Sequence, residues 1–211
     1  MNALRGKSDL VDSVAYYEEH ASELFEKYRS VSFSEVHSDL VSLLPEVGAR
    51  VLDVGAGSGR DAMALAHAGY VVTAVEPSEQ LRLRAQTDSA DLSIRWLDDR
   101  LPQLRLVVAE RLKYDFILLS AVWMHIAPED RIQAMEVLAS LLSRDGKLAI
   151  SLRMGSAGSG DRRFFTTSRD EILVTALAAG LRPVLSHGQT TDALGRPEVI
   201  WDKVVLARYA P

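Results

Sequence analysis

Apolar residues recur along the chain with two alternating periods, and their alternation lays out a fold. Leu10, Val14, Tyr17, Ala21, Leu24 and Tyr28 stand three or four apart, forming one stripe of an amphipathic helix over 8–29. Glu18, Glu19, Glu23, Glu26 and Lys27 lie mostly off that stripe. Ser32-Phe33-Ser34-Glu35 has the spacing of a capping box, so a second helix opens there and continues through Val36, Leu40, Val41, Leu43 and Leu44 until Pro45 and Gly48 close it. Short apolar runs then follow at 51–54, 70–75, 92–97, 116–122 and 146–152, each of buried-strand length. Helical spacing separates them, through 61–68, 78–85 and 132–142. Ser168-Arg169-Asp170-Glu171 repeats the capping box before Leu173, Leu177 and Ala178, and Gly180 ends that helix. Two last runs, 182–187 and 199–209, flank the turn-rich stretch 188–197 and read as a hairpin. Strands alternating with helices predict an α/β fold around a parallel sheet.

Composition narrows the class. At 211 residues and 47% hydrophobic, with no long Pro/Gly/Ser linker, the chain is expected to form one domain over 1–211, a helical cap over 1–48 on a core over 49–211. No apolar run reaches membrane-spanning length and residues 1–7 lack a signal peptide's apolar core, so a soluble, cytoplasmic protein without a membrane partner is expected. The absence of cysteine excludes disulfides, thiolate metal sites and cysteine nucleophiles. The five histidines, His20, His37, His67, His125 and His187, include no i, i+4 ligand pair, and no metal is expected. A formal charge of −5 disfavours broad nucleic-acid binding and favours a small-molecule partner.

The candidate chemistry centres on Val51-Leu52-Asp53-Val54-Gly55-Ala56-Gly57-Ser58-Gly59-Arg60-Asp61, where a buried strand gives way to helical spacing. The glycines are then the strand-to-helix turn, able to adopt positive φ and to let a ligand lie against backbone N–H groups at a helix start. A dinucleotide fingerprint would need a small residue where Arg60 stands, which the long side chain fits poorly. Glu76 follows the next strand, 21 positions beyond Gly55, placed to accept from both hydroxyls of a ribose. That role suits any nucleoside; a plain helix-entry acid is the simpler alternative.

The pattern D-x-G-x-G-x-G over Asp53 to Gly59 resembles the first motif of the class I S-adenosylmethionine-dependent methyltransferases. The resemblance extends over Arg50 to Tyr209. It includes the acid after the second strand, acids after the third, and Tyr114-Asp115 leading through an apolar run to Ser120 and His125. It is nearest to the tellurite-resistance-like and small-molecule branches. The segment at Ser120 to His125 is not the Asn/Asp-Pro-Pro-aromatic version used by many amino-methylating enzymes of DNA and protein. The resemblance implies a Rossmann-like three-layer sandwich with a seven-stranded sheet, parallel except for an antiparallel last strand. It implies S-adenosylmethionine as cofactor, held by Asp53, Gly55, Ala56, Gly57 and Arg60, by Glu76 and Pro77, and by Ser120 and Ala121. An acid just after the third strand would take the adenine amino group; Asp98 is favoured with Asp99 capping, though a one-residue slip of the strand end reverses the two. The first helix would lie over the cofactor, with Tyr16, Tyr17 and Tyr28 as lid residues.

The implied reaction is in-line transfer of a methyl group to an oxygen or nitrogen nucleophile of a small molecule, with no covalent enzyme intermediate. His125, close to the transferring methyl, is the candidate base or orienting group, or else a turn residue before Pro128; Trp123 is expected to be a wall against a planar acceptor. The glycine-rich stretch 153–163 reads as a substrate lid, and Arg153, Arg162, Arg163 and Arg169 suggest an anionic group on the acceptor. Three alternatives share much of this pattern: an NAD(P)-dependent oxidoreductase, an RNA-modifying methyltransferase, and a non-catalytic S-adenosylmethionine-binding regulator. The oligomeric state is not encoded in any motif.

Overall fold

The computed structural model describes residues 13–154 and 164–209. The glycine-rich stretch expected to be a lid falls largely on 155–163, with Arg162 and Arg163, and so lies outside the described residues. Seven strands form one sheet in the order β3-β2-β1-β4-β5-β7-β6. They are β1 (Arg50–Val54), β2 (Val71–Val75), β3 (Ile94–Leu97), β4 (Tyr114–Leu119), β5 (Leu142–Met154), β6 (Leu181–Thr191) and β7 (Ile200–Arg208). The pairs β2/β3, β1/β2, β1/β4 and β4/β5 are parallel, whereas β7 runs antiparallel to both β5 and β6. The expected mostly parallel sheet with an antiparallel last strand is therefore present, the last strand inserted between β5 and β6. Pro183 sits on β6, the sheet edge, where a missing N–H costs no ladder bond.

Burial on both faces follows from residue-by-residue alternation. Leu52, Ile117, Leu119, Leu148 and Ile150 join one buried cluster; Val51, Phe116, Leu118 and Ala149 join another. Helices α7 (Arg131–Leu141) and α8 (Arg169–Ala178) cover the first through Ala134, Met135, Leu138, Ile172 and Ala176. Helix α4 (Arg60–His67), with the 3₁₀ segment Ser38–Leu43, covers the second through Ala62, Leu65 and Leu40. Those are the three layers. Helix α5 (Glu79–Asp88) packs with Ala21 and Phe25 of the N-terminal region through Leu81 and Ala85.

Several expected boundaries shift, each for a local reason. The single helix over 8–29 is two, α1 (Ser13–Glu19) and α2 (Ala21–Arg29), broken where the His20 ring Nδ1 meets Tyr16 O at 3.0 Å. The second helix keeps its capping box at Ser32 and Glu35 but lasts only as α3 (Phe33–His37) before tightening to 3₁₀. Asp99 opens an additional short helix, α6 (Arg105–Ala109). The strand expected over 146–152 begins earlier, at Leu142, with a register shift against β4, and a Cβ on Gly146 would stand 2.7 Å from Tyr114 O. No helix among the described residues is long and apolar enough to cross a membrane.

Candidate active site

The strand order reverses direction between β1 and β4, the point at which open α/β sheets leave a crevice beyond their carboxyl ends. A cavity of about 980 Å³ opens there. The glycine turn forms its floor. Gly55, Gly57 and Gly59 all have positive φ, at 73°, 54° and 76°, but for different reasons. A Cβ on Gly55 would strike Val122 Cγ2 at 2.5 Å, and one on Gly59 would press on Met63, Trp96 and Ala85 at 3.0–3.1 Å. At Gly57 nothing lies nearer than Tyr28 Cδ2 at 3.9 Å, so there the missing side chain leaves room for something other than protein.

At one end of the cavity stands Glu76, directly after β2 and only 6% exposed. Its Oε2 accepts from Gly57 N at 2.7 Å and its Oε1 from Ser78 N at 2.8 Å. Burial pushes this carboxyl up to about 7, against the two backbone N–H groups and Arg82, which favour the ionised form. Pro77 and Asp99 line the same end. All four bonds to the Asp99 carboxylate come from backbone N–H groups, of Arg100, Arg105, Leu106 and Val107, so it caps α6. Asp98, expected at adenine, is instead 67% exposed and 3.4 Å from Arg82 Nη2, outside the cavity lining; the α5 guanidinium holds it outward.

Beyond β1, on the α4 side, a buried polar cluster underlies the turn. Arg60 donates from Nε and Nη2 to Asp61, both at 2.7 Å, and both residues line the cavity. His37 Nε2 stands 3.2 Å from Asp61 Oδ2 and 3.1 Å from Ser120 Oγ. Burial works against an ionised Asp61, but His37 and Arg60 outweigh it and hold the carboxyl well below the usual range. Asp53 was expected to touch cofactor. Strand alternation turns it toward α4 instead, 1% exposed and outside the cavity lining, its carboxyl beside the Ala62 N–H. Burial and the Asp61 charge push its pKa well up, so it favours the neutral acid.

The far end belongs to β4, α1 and the β6–β7 hairpin. Ser120, Ala121 and His125 line the cavity after β4; Ala121 holds φ 61° while its N–H donates to Ser151 Oγ at 2.9 Å. Tyr17 of α1 crosses the cavity to place its hydroxyl 3.1 Å from His125 Nε2, and Phe164 meets the same imidazole edge-on at 5.1 Å. Arg153 lies over the Phe164 ring at 4.8 Å. Helix α1 buries no residue of its own. It is held by this tyrosine and by Glu18, whose carboxylate accepts from Ser78 Oγ at 2.6 Å and from Gln80 N. Tyr16 and Tyr28 also line the cavity. Arg169 is engaged with Asp202 rather than directed at a ligand.

Trp123 corrects another expectation. It has no exposed surface, sits in the core cluster with Leu104 and Met135, and does not line the cavity. The one-turn 3₁₀ segment Trp123–His125 points successive side chains apart, so the indole enters the core while Met124 and His125 face the crevice. The indole wall is Trp201 of β7, whose Nε1 donates to Asp192 Oδ1 at 2.8 Å. Burial disfavours the Asp192 anion, but bonds from Arg196 and Trp201 hold that carboxyl down at about 2.

Sequence reasoning missed His37 and, although it read the closing hairpin, missed that the hairpin lines the cavity. Phe33, His37, Leu40 and Leu44 are spaced four, three and four apart, so His37 is a polar residue on an apolar stripe, a signal that could have marked it. The hairpin residues carry no local signature.

Comparison with known proteins agrees with this geometry. A family model described as a methyltransferase domain matches residues 21–182. An uncharacterized methyltransferase of Staphylococcus carnosus is 30% identical over 128 residues, 59% of this chain and 56% of the relative, so the chain spans about half the length of that relative. The magnesium protoporphyrin IX methyltransferase of Synechocystis, solved with its S-adenosylmethionine cofactor, superposes with a TM-score of 0.71 at 21% identity, covering 96% of this chain and 100% of the other. A Burkholderia thailandensis 1,6-didemethyltoxoflavin-N1-methyltransferase gives 0.65 at 19% identity, covering 100% and 98%. With the matching domain running from α2 through the glycine turn and Glu76 to the start of β6, the chain belongs to this methyltransferase-domain family.

Proposed function

We propose that the protein transfers a methyl group from S-adenosylmethionine to an oxygen or nitrogen nucleophile of a small molecule. The observation that carries this reading is one continuous cavity with two chemically different ends, a glycine-turn one with a buried acid at Gly57 and Glu76 and an aromatic, titratable one at His125, Tyr17, Phe164 and Trp201. Its volume of about 980 Å³ lies at the top of the range for single-ligand pockets, room for cofactor and acceptor together.

When bound, the cofactor supplies a methyl group on a sulfonium, so what is asked of the protein is alignment, dryness and a destination for the acceptor's proton. Glu76 is the proposed ribose partner, its Oε2 held by the Gly57 N–H of the turn and its Oε1 by the Ser78 N–H. Pro77, Ala56, Gly55, Ala121 and Tyr28 give the surrounding surface, and Tyr17 on α1 closes the cavity above. His125 Nε2, the nitrogen facing Tyr17, is the proposed site that takes or orients the acceptor's proton. An acceptor with an anionic substituent would find Arg153 beside the Phe164 face.

The lining carries more Asp and Glu than Lys and Arg, which favours a small molecule over RNA. Incubating isotopically labelled cofactor and enzyme with fractionated cell extract tests the proposal: a labelled small molecule with stoichiometric S-adenosylhomocysteine is expected, and label entering only nucleic acid would refute it.

A further inference from the structure

His37 lies in no motif, on a helix that precedes the first strand, yet it has no exposed surface and makes two contacts with cavity-lining residues. An ionised carboxylate only accepts hydrogen bonds, so with Asp61 ionised it is His37 Nε2 that carries the hydrogen between them. Ser120 Oγ shares that same nitrogen at 3.1 Å. Through this one atom His37 ties the end of β4 to the start of α4. Apolar residues would fill the space without the desolvation cost of a buried imidazole and carboxylate, so the network reads as a device for orientation.

What it orients is set by the sheet. Glu76 leaves β2 and Ser120 leaves β4, with β1 between, so the two stand about two strand spacings, roughly 10 Å, apart across the glycine turn. A nucleoside held at Glu76 therefore directs its 5′ extension toward Arg60 and Ser120. For S-adenosylmethionine that extension ends in a zwitterionic amino acid, and Arg60 is a cavity-lining cation whose Nε and Nη2 are locked by Asp61. We propose that His37 is a positioning residue for the amino-acid tail of the cofactor, fixing Asp61, and through it Arg60, together with the Ser120 hydroxyl. This rests on the reading of the cavity as an S-adenosylmethionine site.

The test compares two ligands that differ in that tail. S-adenosylhomocysteine carries it; 5′-methylthioadenosine keeps the adenosine and thioether and lacks it. By calorimetry, His37→Leu is expected to weaken S-adenosylhomocysteine tenfold or more while leaving 5′-methylthioadenosine within about twofold. His37→Gln, which returns an N–H near the Nε2 position, is expected to restore the first to within about threefold of wild type. Ser120→Ala, a smaller change made in parallel, is expected to show the same selectivity at about threefold. Equal weakening of both ligands would make His37 merely structural, and no weakening of either would remove it from the site. Wild-type protein that binds neither ligand would instead overturn the cofactor reading itself.

Discussion

The backbone N–H of Gly57 donates to Glu76 Oε2 at 2.7 Å, so the glycine turn and the acid after β2, 19 residues apart, already form one unit. A ligand entering here meets a carboxylate preset by the backbone it will lie against. That arrangement has a stability consequence opposite in sign to an ordinary ion pair. With its pKa raised from 4.5 to about 7, Glu76 destabilises the folded state when ionised, by about 3 kcal/mol. Below 4.5 folded and unfolded chains both hold the proton. Between 4.5 and 7 the folded chain keeps a proton the unfolded chain has lost, so Glu76's contribution to stability falls as pH rises through that window. Glu76→Gln is therefore expected to raise the Tm of the ligand-free protein at pH 8 and to leave it unchanged at pH 4, read by thermal melts at both values.

The same substitution should act on binding in the other direction. On the proposed reading ribose hydroxyls donate to the ionised carboxylate, so affinity for S-adenosylhomocysteine is expected to rise from pH 6 to pH 8 in the wild type. In Glu76→Gln it should be nearly flat and weaker by about 1.5–3 kcal/mol at pH 8. Calorimetry across that range decides. A pH-independent wild-type affinity would remove Glu76 from the ribose.

Gly55 and Gly57 separate a packing requirement from a ligand requirement. Gly55→Ala puts a Cβ 2.5 Å from Val122 Cγ2, so its expected signature is a large loss of Tm. Gly57→Ala meets no atom within 3.8 Å and carries only the strain of φ 54°, about 1–2 kcal/mol. Its methyl group enters the cavity, and S-adenosylhomocysteine affinity is expected to fall tenfold or more.

Trp123→Ala tests the core assignment. Truncating a fully buried indole among Leu104, Ile126 and Met135 should cost about 3–5 kcal/mol, measured by denaturant unfolding. An acceptor-wall role would have left stability nearly untouched and raised KM. Trp201→Ala is the variant expected to show that second behaviour.

How legible each part was depends on how local its cause is. The glycine turn, the acid after β2, the capping box at Ser32 and the N-cap at Ser168 were readable because local spacing determines them; the other half of the Ser168 box is missing because the Glu171 carboxylate pairs with Arg131. The sheet was readable because strands buried on both faces need uninterrupted apolar runs. Trp123 was misread because the apolar run of β4 continues past its end at Leu119, and nothing local says which side chains of the next turn face the crevice. Asp53 was assigned from its motif position, whereas its direction is set by strand alternation. The Asp98 expectation failed on a partner in α5, and the His37 contacts join residues 24 and 83 positions apart, which only the folded sheet brings together.

His125 and Tyr17 give the most direct test of chemistry. They are 108 residues apart, and their contact is made between α1, none of whose residues is fully buried, and the segment after β4. A helix with no fully buried residue is among the elements that open at least cost, so Tyr17 is placed both to close the site and to orient the imidazole. If His125 accepts the acceptor's proton, it must be neutral, and kcat is expected to fall on the acid side as the ring becomes protonated. His125→Ala should lower kcat by about 10²-fold while cofactor affinity stays within a few-fold, and the acid limb should vanish with it. Tyr17→Phe keeps the ring against His125 and removes only the hydroxyl, so it should lower kcat by about tenfold or less and shift the acid limb rather than abolish it. Steady-state kinetics from pH 5 to 9 on the three proteins reads all of this. Wild-type kcat and an unchanged profile in His125→Ala would leave alignment and water exclusion as the whole mechanism, with His125 reduced to holding the lid through Tyr17.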